Sequence, residues 1–368
     1  METRVDDGPA DTGRSRPAIN TLLTIDQVID LARDSLDPDV WAWAAAGAGQ
    51  EVTLTRNAVA LNSLALVPRI GRDVTNVDVT SSFAGVDLAL PVVLAPVGAL
   101  GIYDPGDALS AARAATSMGT VAFCSIFCTT PWEEVAATAP GRHFFQLYVI
   151  GDRGWQADLL ARVGEARFAG LCVTMDSPTV GRRDRSLAGF TWTGSVEGTV
   201  NLDPTLLDVS YRTAFSWGDL EWISANTDLP VIAKGVMTAY DARAAVDAGA
   251  RAIYVSNHGG RMVDHALSAI EALAEVVEAV PAGVDVAIDS GFTRGAEVCK
   301  ALALGARVVG IGRLQCWGLA AGGQDVLARV LEILREEIAV TMANSGCPDV
   351  GAIGPDLVRW SMPALPPG

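Results

Sequence analysis

Residues 252–261 read A-I-Y-V-S-N-H-G-G-R. An apolar run of strand length, Ala252 to Val255, ends abruptly in Ser256, Asn257 and His258, and two glycines and Arg261 follow. The run is built for a core; the residues after it are not. A histidine, two flexible backbone positions and a fixed positive charge at one strand tip mark a reaction site. His258 is one of three histidines, with His143 and His265, so chemistry that needs a base near neutral pH has few candidates.

Seven more short β-rich runs surround this one, at 90–95, 120–125, 143–149, 170–176, 230–234, 284–289 and 307–312. Helical stretches lie between most of them, for example 107–118, 155–166, 239–247 and 294–304. Eight strands, most followed by a helix, predict an α/β fold of the (β/α)8 barrel type. The rival, an open doubly wound sheet, calls for a G-x-G-x-x-G turn after an early strand, which the sequence lacks. A helical extension precedes the strands. Thr24-x-x-Gln27 is a capping box, Pro38 opens a second helix that runs to Gly47, and a third covers 51–64. Residues 1–20 are polar and predict a disordered tail, leaving 21–368 as one domain. The longest connection follows strand four, and residues 177–215 are expected to lie over the barrel mouth as a lid.

Composition narrows the function classes. Half of the 368 residues are hydrophobic, enough for a large core, and the formal charge of -16 argues against nucleic acid or an anionic membrane as partner. No apolar run reaches the length of a membrane span. Without a signal-like apolar segment near the N-terminus, the expected location is cytoplasmic. Cys124, Cys128, Cys172, Cys299, Cys316 and Cys347 form no C-x-x-C pair and read as buried free thiols, with no metal site.

On a barrel the C-terminal strand tips converge. In order they carry Pro96-Val97-Gly98, Ser125, Gln146 with Tyr148, Thr174 with Asp176, Lys234, Ser256 with His258, Asp289-Ser290-Gly291, and Gly312-Arg313. One polar tip is a helix cap or a turn; eight together are a site. Gly291, Gly312 and Arg313 suggest a phosphate cradle after strands seven and eight. Lys234 either holds a negative charge that develops on a bound cofactor or makes a structural ion pair with Asp289 or Asp176. Asp176 is the natural partner of His258. Arg183 and Arg261 offer a two-pronged clamp for a carboxylate, although Arg183 also has Arg182 and Arg185 beside it, as a solvated basic loop would.

These motifs resemble the FMN-dependent α-hydroxy-acid oxidases and dehydrogenases, from about Thr24 to Gly346. The most specific is S-N-H-G-G-R at 256–261, joined by F-F-Q-L-Y at 144–148, D-S-P-x-x-G-R-R at 176–183, K-G-V at 234–236, A-L-A-L-G-A at 301–306 and I-G-R at 311–313. The resemblance implies FMN lined by Pro96, Val97, Gly98, Ser125, Gln146, Thr174, Lys234 and Ser256, with Asp289, Ser290, Gly291, Gly312 and Arg313 around its ribityl phosphate. It implies oxidation of an (S)-2-hydroxy acid to the 2-oxo acid. His258 would remove a proton as a hydride equivalent leaves the α-carbon for flavin N5, with Asp176 supporting the imidazolium and Lys234 the reduced flavin. Arg183, Arg261, Tyr148 and Trp43 would bind the substrate. A homotetramer is implied, while oxygen, a quinone or a protein are all open as electron acceptor.

Three positions depart from the family pattern. Trp43 stands where a tyrosine usually bonds the substrate carboxylate, Val97 replaces a threonine, and D-S-G-F-T at 289–293 replaces D-G-G-x-R. Thr293 therefore takes the place of a phosphate-binding arginine, so FMN is expected to bind less tightly or with Arg294 swung in. Trp43, Phe127 and the loop after strand four favour an aromatic or bulky acid. The alternatives are oxidation of an amine or hydroxyl on an intermediate without a carboxylate, which Trp43 motivates, and a flavin-dependent isomerase.

Overall fold

The computed structural model describes residues 19–187, 201 and 215–362. The barrel strands are β1 (Val92–Leu94), β2 (Phe123–Ser125), β3 (Phe144–Leu147), β4 (Gly170–Thr174), β5 (Val231–Val236), β6 (Ala252–Val255), β7 (Asp285–Ile288) and β8 (Val308–Ile311). All neighbours are parallel, in the order β1-β8-β7-β6-β5-β4-β3-β2. A parallel bridge between Leu94 and Ala122 joins the two ends and closes the ring. The expected (β/α)8 barrel is therefore present; most strands are two or three residues shorter than the apolar runs, and β5 is one longer.

Those runs are apolar throughout because both strand faces are covered. Val93, Phe123, Phe144, Cys172, Ile232, Ala252, Tyr254, Ala287 and Val308 fill the barrel interior. Their neighbours, such as Val92, Phe145, Leu171, Val255 and Ile288, pack outward in the helix layer. A two-stranded ribbon, Ser81–Phe83 with Val86–Leu88, packs Phe83, Val86 and Leu88 against the interior residues. It lies at the N-terminal end, where Asp285, the first residue of β7, accepts from Ala84 N at 2.9 Å. The opposite end is left for the site.

The extension is not a separate module. Helix Ile25–Ser35 begins with the Thr24–Gln27 capping box and packs on helix Arg313–Asn344. Helix Pro38–Ala45 starts at Asp37 and brings Trp43 to the barrel mouth. Helix Val52–Asn62 sends Asn57 to the loop after β6. Ile19–Thr21, at the edge of the expected tail, form a 3₁₀ turn; residues 1–18 lie outside the described residues, as do 188–200 and 202–214 of the expected lid. All six cysteines are free and buried. Among the described residues no helix is long and apolar enough to cross a membrane.

Candidate active site

A cavity of about 400 Å³ opens at the C-terminal ends of the strands. That is within the roughly 300–1,000 Å³ of small-molecule sites. Polar side chains at the strand tips are wired to one another. Ser125 Oγ donates to Gln146 Oε1 at 2.8 Å, and Gln146 Nε2 donates to Thr174 Oγ1 at 2.9 Å. This row is buried at the tips of β2, β3 and β4. Lys234 in β5 continues it and is only 3% exposed. A buried ammonium needs partners: Nζ donates to Ser256 Oγ at 2.8 Å and stands 3.5 Å from Asp289 Oδ2. Burial works against the charge, but the carboxylates of Asp289 and Asp176 outweigh it and hold the pKa of Lys234 above its ordinary value. The ion pair with Asp289 is thus real, and it faces the cavity, since both residues line it.

His258 follows β6 with φ +57°, a conformation that turns the chain sharply at the strand tip. Its Nδ1 lies 3.1 Å from Asp176 Oδ1 and 3.2 Å from Ser177 Oγ. With Nδ1 committed there, Nε2 is the nitrogen left for a substrate, and His258 lines the cavity while Asp176 does not. Burial would raise the pKa of Asp176, yet the imidazole of His258, with Lys234 behind it, brings it below the usual carboxylate value. Gly235 makes this placement possible. It has φ +102°, and a Cβ on it would sit 2.6 Å from Asp176 Cβ and Cγ.

Three arginines converge on the same space. Arg183, Arg261 and Arg313 all line the cavity, and among the described residues none of them forms an ion pair with a carboxylate. Arg182 and Arg185 do pair, with Asp184 and Glu51. Arg183 is therefore distinct from its neighbours, and the solvated-loop alternative does not apply to it. Arg261 is fixed by donating from Nη1 to the carbonyls of Trp43, Ala44 and Ala46 at 3.3, 2.7 and 2.9 Å. The indole of Trp43 lies 5.6 Å from the guanidinium of Arg183 and 5.2 Å from that of Arg261. Gly181 lets the two arginine segments meet, because a Cβ there would lie 2.1 Å from Arg261 O. Burial and mutual repulsion push the pKa of Arg183 down to about 10, and burial lowers that of Arg261.

Toward β7 and β8 the cavity is bordered by Asp289, Ser290, Gly291, Thr293, Gly312 and Arg313. Arg313 opens helix Arg313–Asn344 and donates to Gly259 O, while its buried Nε has no partner among the described residues. Its pKa is pushed down to about 10 by burial and by Arg261. Arg294 does not take the place of Thr293. Its guanidinium is engaged by Asp26 and Glu337 as the helix Gly295–Ala303 begins, so two carboxylates hold it away from the cavity. Pro96, Val97, Gly98 and Tyr148 complete the wall opposite, joined by Phe127, whose ring centroid is 5.2 Å from that of Tyr148.

Some site residues were not singled out from sequence. Ser177 shares His258 Nδ1 with Asp176, a role that its neighbour in D-S-P obscures. Asn57 and Asn257 exchange side-chain amide hydrogen bonds at 3.1 and 2.8 Å, which ties the His258 loop to the helical extension across 200 residues. Tyr103 and Trp317 add aromatic wall, with ring centroids 6.3 Å apart. No local pattern announces these pairings; the Asn57–Asn257 bond exists only once the extension folds back on the barrel.

A family profile described as FMN-dependent dehydrogenase matches residues 32–360. Glycolate oxidase 3 of Arabidopsis thaliana is 37% identical over 350 residues, covering 90% of this chain and 95% of the relative. The 4-hydroxymandelate oxidase of Amycolatopsis orientalis is 39% identical over 335 residues, covering 87% and 94%. A crystal structure of mandelate oxidase superposes with a TM-score of 0.86 at 37% identity, covering 94% of this chain and 100% of that one. On these matches, and with the barrel fold they share, the chain belongs to the FMN-dependent dehydrogenase family.

Proposed function

We propose that this chain is an (S)-2-hydroxy-acid oxidase, using FMN to oxidise its substrate to the 2-oxo acid. The observation that carries the reading is the cluster of three half-buried guanidinium groups lining one cavity, in a chain of net charge -16, without a carboxylate partner among the described residues. Uncompensated buried cations are costly, so the cavity is made for anions. It offers two cationic anion-binding groups, Arg313 at a helix N-terminus for a phosphate and Arg183 with Arg261 for a carboxylate.

The residues fit flavin mononucleotide. Among the described residues, Arg313 Nε is a buried donor without a partner and a Cβ on Gly312 would meet nothing within 4 Å, so backbone and side chain both offer room at the phosphate end. Pro96, Val97, Gly98 and Lys234 line the cavity and would hold the rest, backed by the buried tip residues Ser125, Gln146, Thr174 and Ser256, with Asp289, Ser290, Gly291, Gly312 and Arg313 near the ribityl phosphate. When bound, FMN supplies an acceptor for two electrons from the substrate. The protein's own part is positioning and proton transfer. Arg261 and Arg183 hold the carboxylate, Tyr148 binds the hydroxyl or carboxylate, and His258 Nε2 takes the proton. Asp176, 3.1 Å from Nδ1, fixes the tautomer and stabilises the imidazolium. Lys234 keeps a positive charge at the strand tips for the negative charge that develops there.

The aromatic wall of Trp43, Tyr103, Phe127, Tyr148 and Trp317 supports an aryl or bulky apolar side chain on the acid. Oxygen is the acceptor that best fits the named relatives, which are called oxidases, and a homotetramer is the assembly we infer from the family resemblance. Anaerobic addition of small and aromatic 2-hydroxy acids to FMN-loaded protein tests the reading: aromatic (S)-acids bleach the flavin fastest. Bleaching by none of them, with FMN bound, favours instead an amine or alcohol lacking a carboxylate.

A further inference from the structure

One buried hydroxyl closes a circuit through the loop that carries His258. Ser290 follows β7 with φ +83°, a backbone conformation that disfavours any side chain, and is 8% exposed. Its Oγ donates to Asp289 Oδ1 at 2.8 Å and accepts from the N–H groups of Gly259 at 3.1 Å and Asn257 at 3.4 Å. One proton and two lone pairs are all a hydroxyl has, so these three bonds use it fully. On the far side of the loop, Ser256 Oγ accepts from Lys234 Nζ at 2.8 Å and from His258 N at 3.1 Å. Lys234 Nζ in turn stands 3.5 Å from Asp289 Oδ2.

The consecutive amides of Asn257, His258 and Gly259 therefore hang from two serine hydroxyls, and both hydroxyls are tied to the same ion pair. We propose that Ser290 is a positioning residue for His258, holding the loop on the Lys234–Asp289 pair so that the imidazole stays in line with Asp176 and the cavity. A glycine there, as in the family pattern, would relieve the strain but supply no hydroxyl. This rests on the reading of His258 as the base. Its phosphate role, inferred from sequence position, would fall to backbone rather than to Oγ, whose bonding capacity is already taken. Arg261 is held independently, by the carbonyls of Trp43, Ala44 and Ala46. Loss of the Ser290 hydroxyl thus separates proton transfer from carboxylate binding.

Two variants of the FMN-loaded enzyme test this. Ser290→Ala and Ser290→Gly both remove the hydroxyl, but only glycine relieves the positive φ. Both are expected to slow anaerobic flavin reduction by about tenfold or more. Both should bind the 2-oxo acid product within about twofold of wild type. Amide deuterium exchange of a peptide spanning 256–261 should quicken in both, while Ser290→Gly melts at a higher temperature than Ser290→Ala. Reduction rates that follow melting temperature, with Ser290→Gly near wild type, would make Ser290 structural only and overturn the proposal. Unchanged exchange at 256–261 would also overturn it. The exchange result stands even if no 2-hydroxy acid reduces the wild-type flavin, an outcome that sinks the functional reading alone.

Discussion

Replacing Asp176 by Asn probes the proton-transfer step most selectively. The substitution keeps size and removes charge at an atom 3.1 Å from His258 Nδ1. Both groups are largely sheltered, with side chains 21% and 14% exposed. Two unit charges about 4 Å apart at an effective dielectric near 20 interact by about 4 kcal/mol. If about half of that stabilisation is expressed when the proton is in flight, the barrier rises by about 2 kcal/mol, or about 30-fold in rate. Asp176 does not line the cavity, so FMN and carboxylate affinity should change little. The assay is anaerobic stopped-flow flavin reduction over a substrate series, which separates the limiting rate from substrate affinity. A limiting rate within about twofold of wild type would refute the pairing of Asp176 with the imidazolium as a catalytic device.

Other consequences follow from the same geometry. Gly235→Ala adds a Cβ 2.6 Å from Asp176 at a position with φ +102°. It should lower stability by about 1–3 kcal/mol and slow flavin reduction together, and a normal rate in a destabilised protein would separate Asp176 from catalysis. Thr293→Arg restores a cation beside Arg313, where Arg294 is held away by Asp26 and Glu337. A charged hydrogen bond of about 1.5–3 kcal/mol predicts FMN affinity about 10–100-fold higher by fluorescence quenching, and an unchanged affinity would place the phosphate elsewhere. His143 lies away from the site, 1% exposed, where burial and Arg142 push its pKa down to about 4. Its Nδ1 accepts from Ala122 N, which requires the neutral ring. That stability is fully present above the unfolded pKa of about 6.5 and is lost as pH falls toward about 4, by about 2 kcal/mol at about pH 5. The urea midpoints of wild type and His143→Gln should converge on acidification, whereas a gap independent of pH would show that the ring's protonation is not coupled to folding.

The barrel was legible because parallel strands covered on both faces leave continuous apolar runs, and because each run ends in residues that a core rejects. The pairing of His258 with Asp176 was readable for the same reason, and that of Lys234 only as a choice between Asp289 and Asp176: strand tips on a barrel meet at one end. What sequence could not fix was where mobile side chains settle. Arg294 sits one residue from Thr293, yet carboxylates from the first helix and the last long helix capture it. Ser290 reads as a turn residue or a phosphate contact, and only the coordinates place its hydroxyl under Gly259. Ser177 and Asn57 were silent for a related reason, since their partners lie 81 and 200 residues away.

The central claim is that His258 is the base in a flavin enzyme acting on a 2-hydroxy acid. Its most direct test compares wild type with His258→Ala, both loaded with FMN and mixed anaerobically with an aromatic (S)-2-hydroxy acid. The account predicts that both proteins carry the flavin spectrum, that wild type is bleached, and that the variant is reduced at least about 100-fold more slowly. Reduction of the variant at the wild-type rate would contradict it.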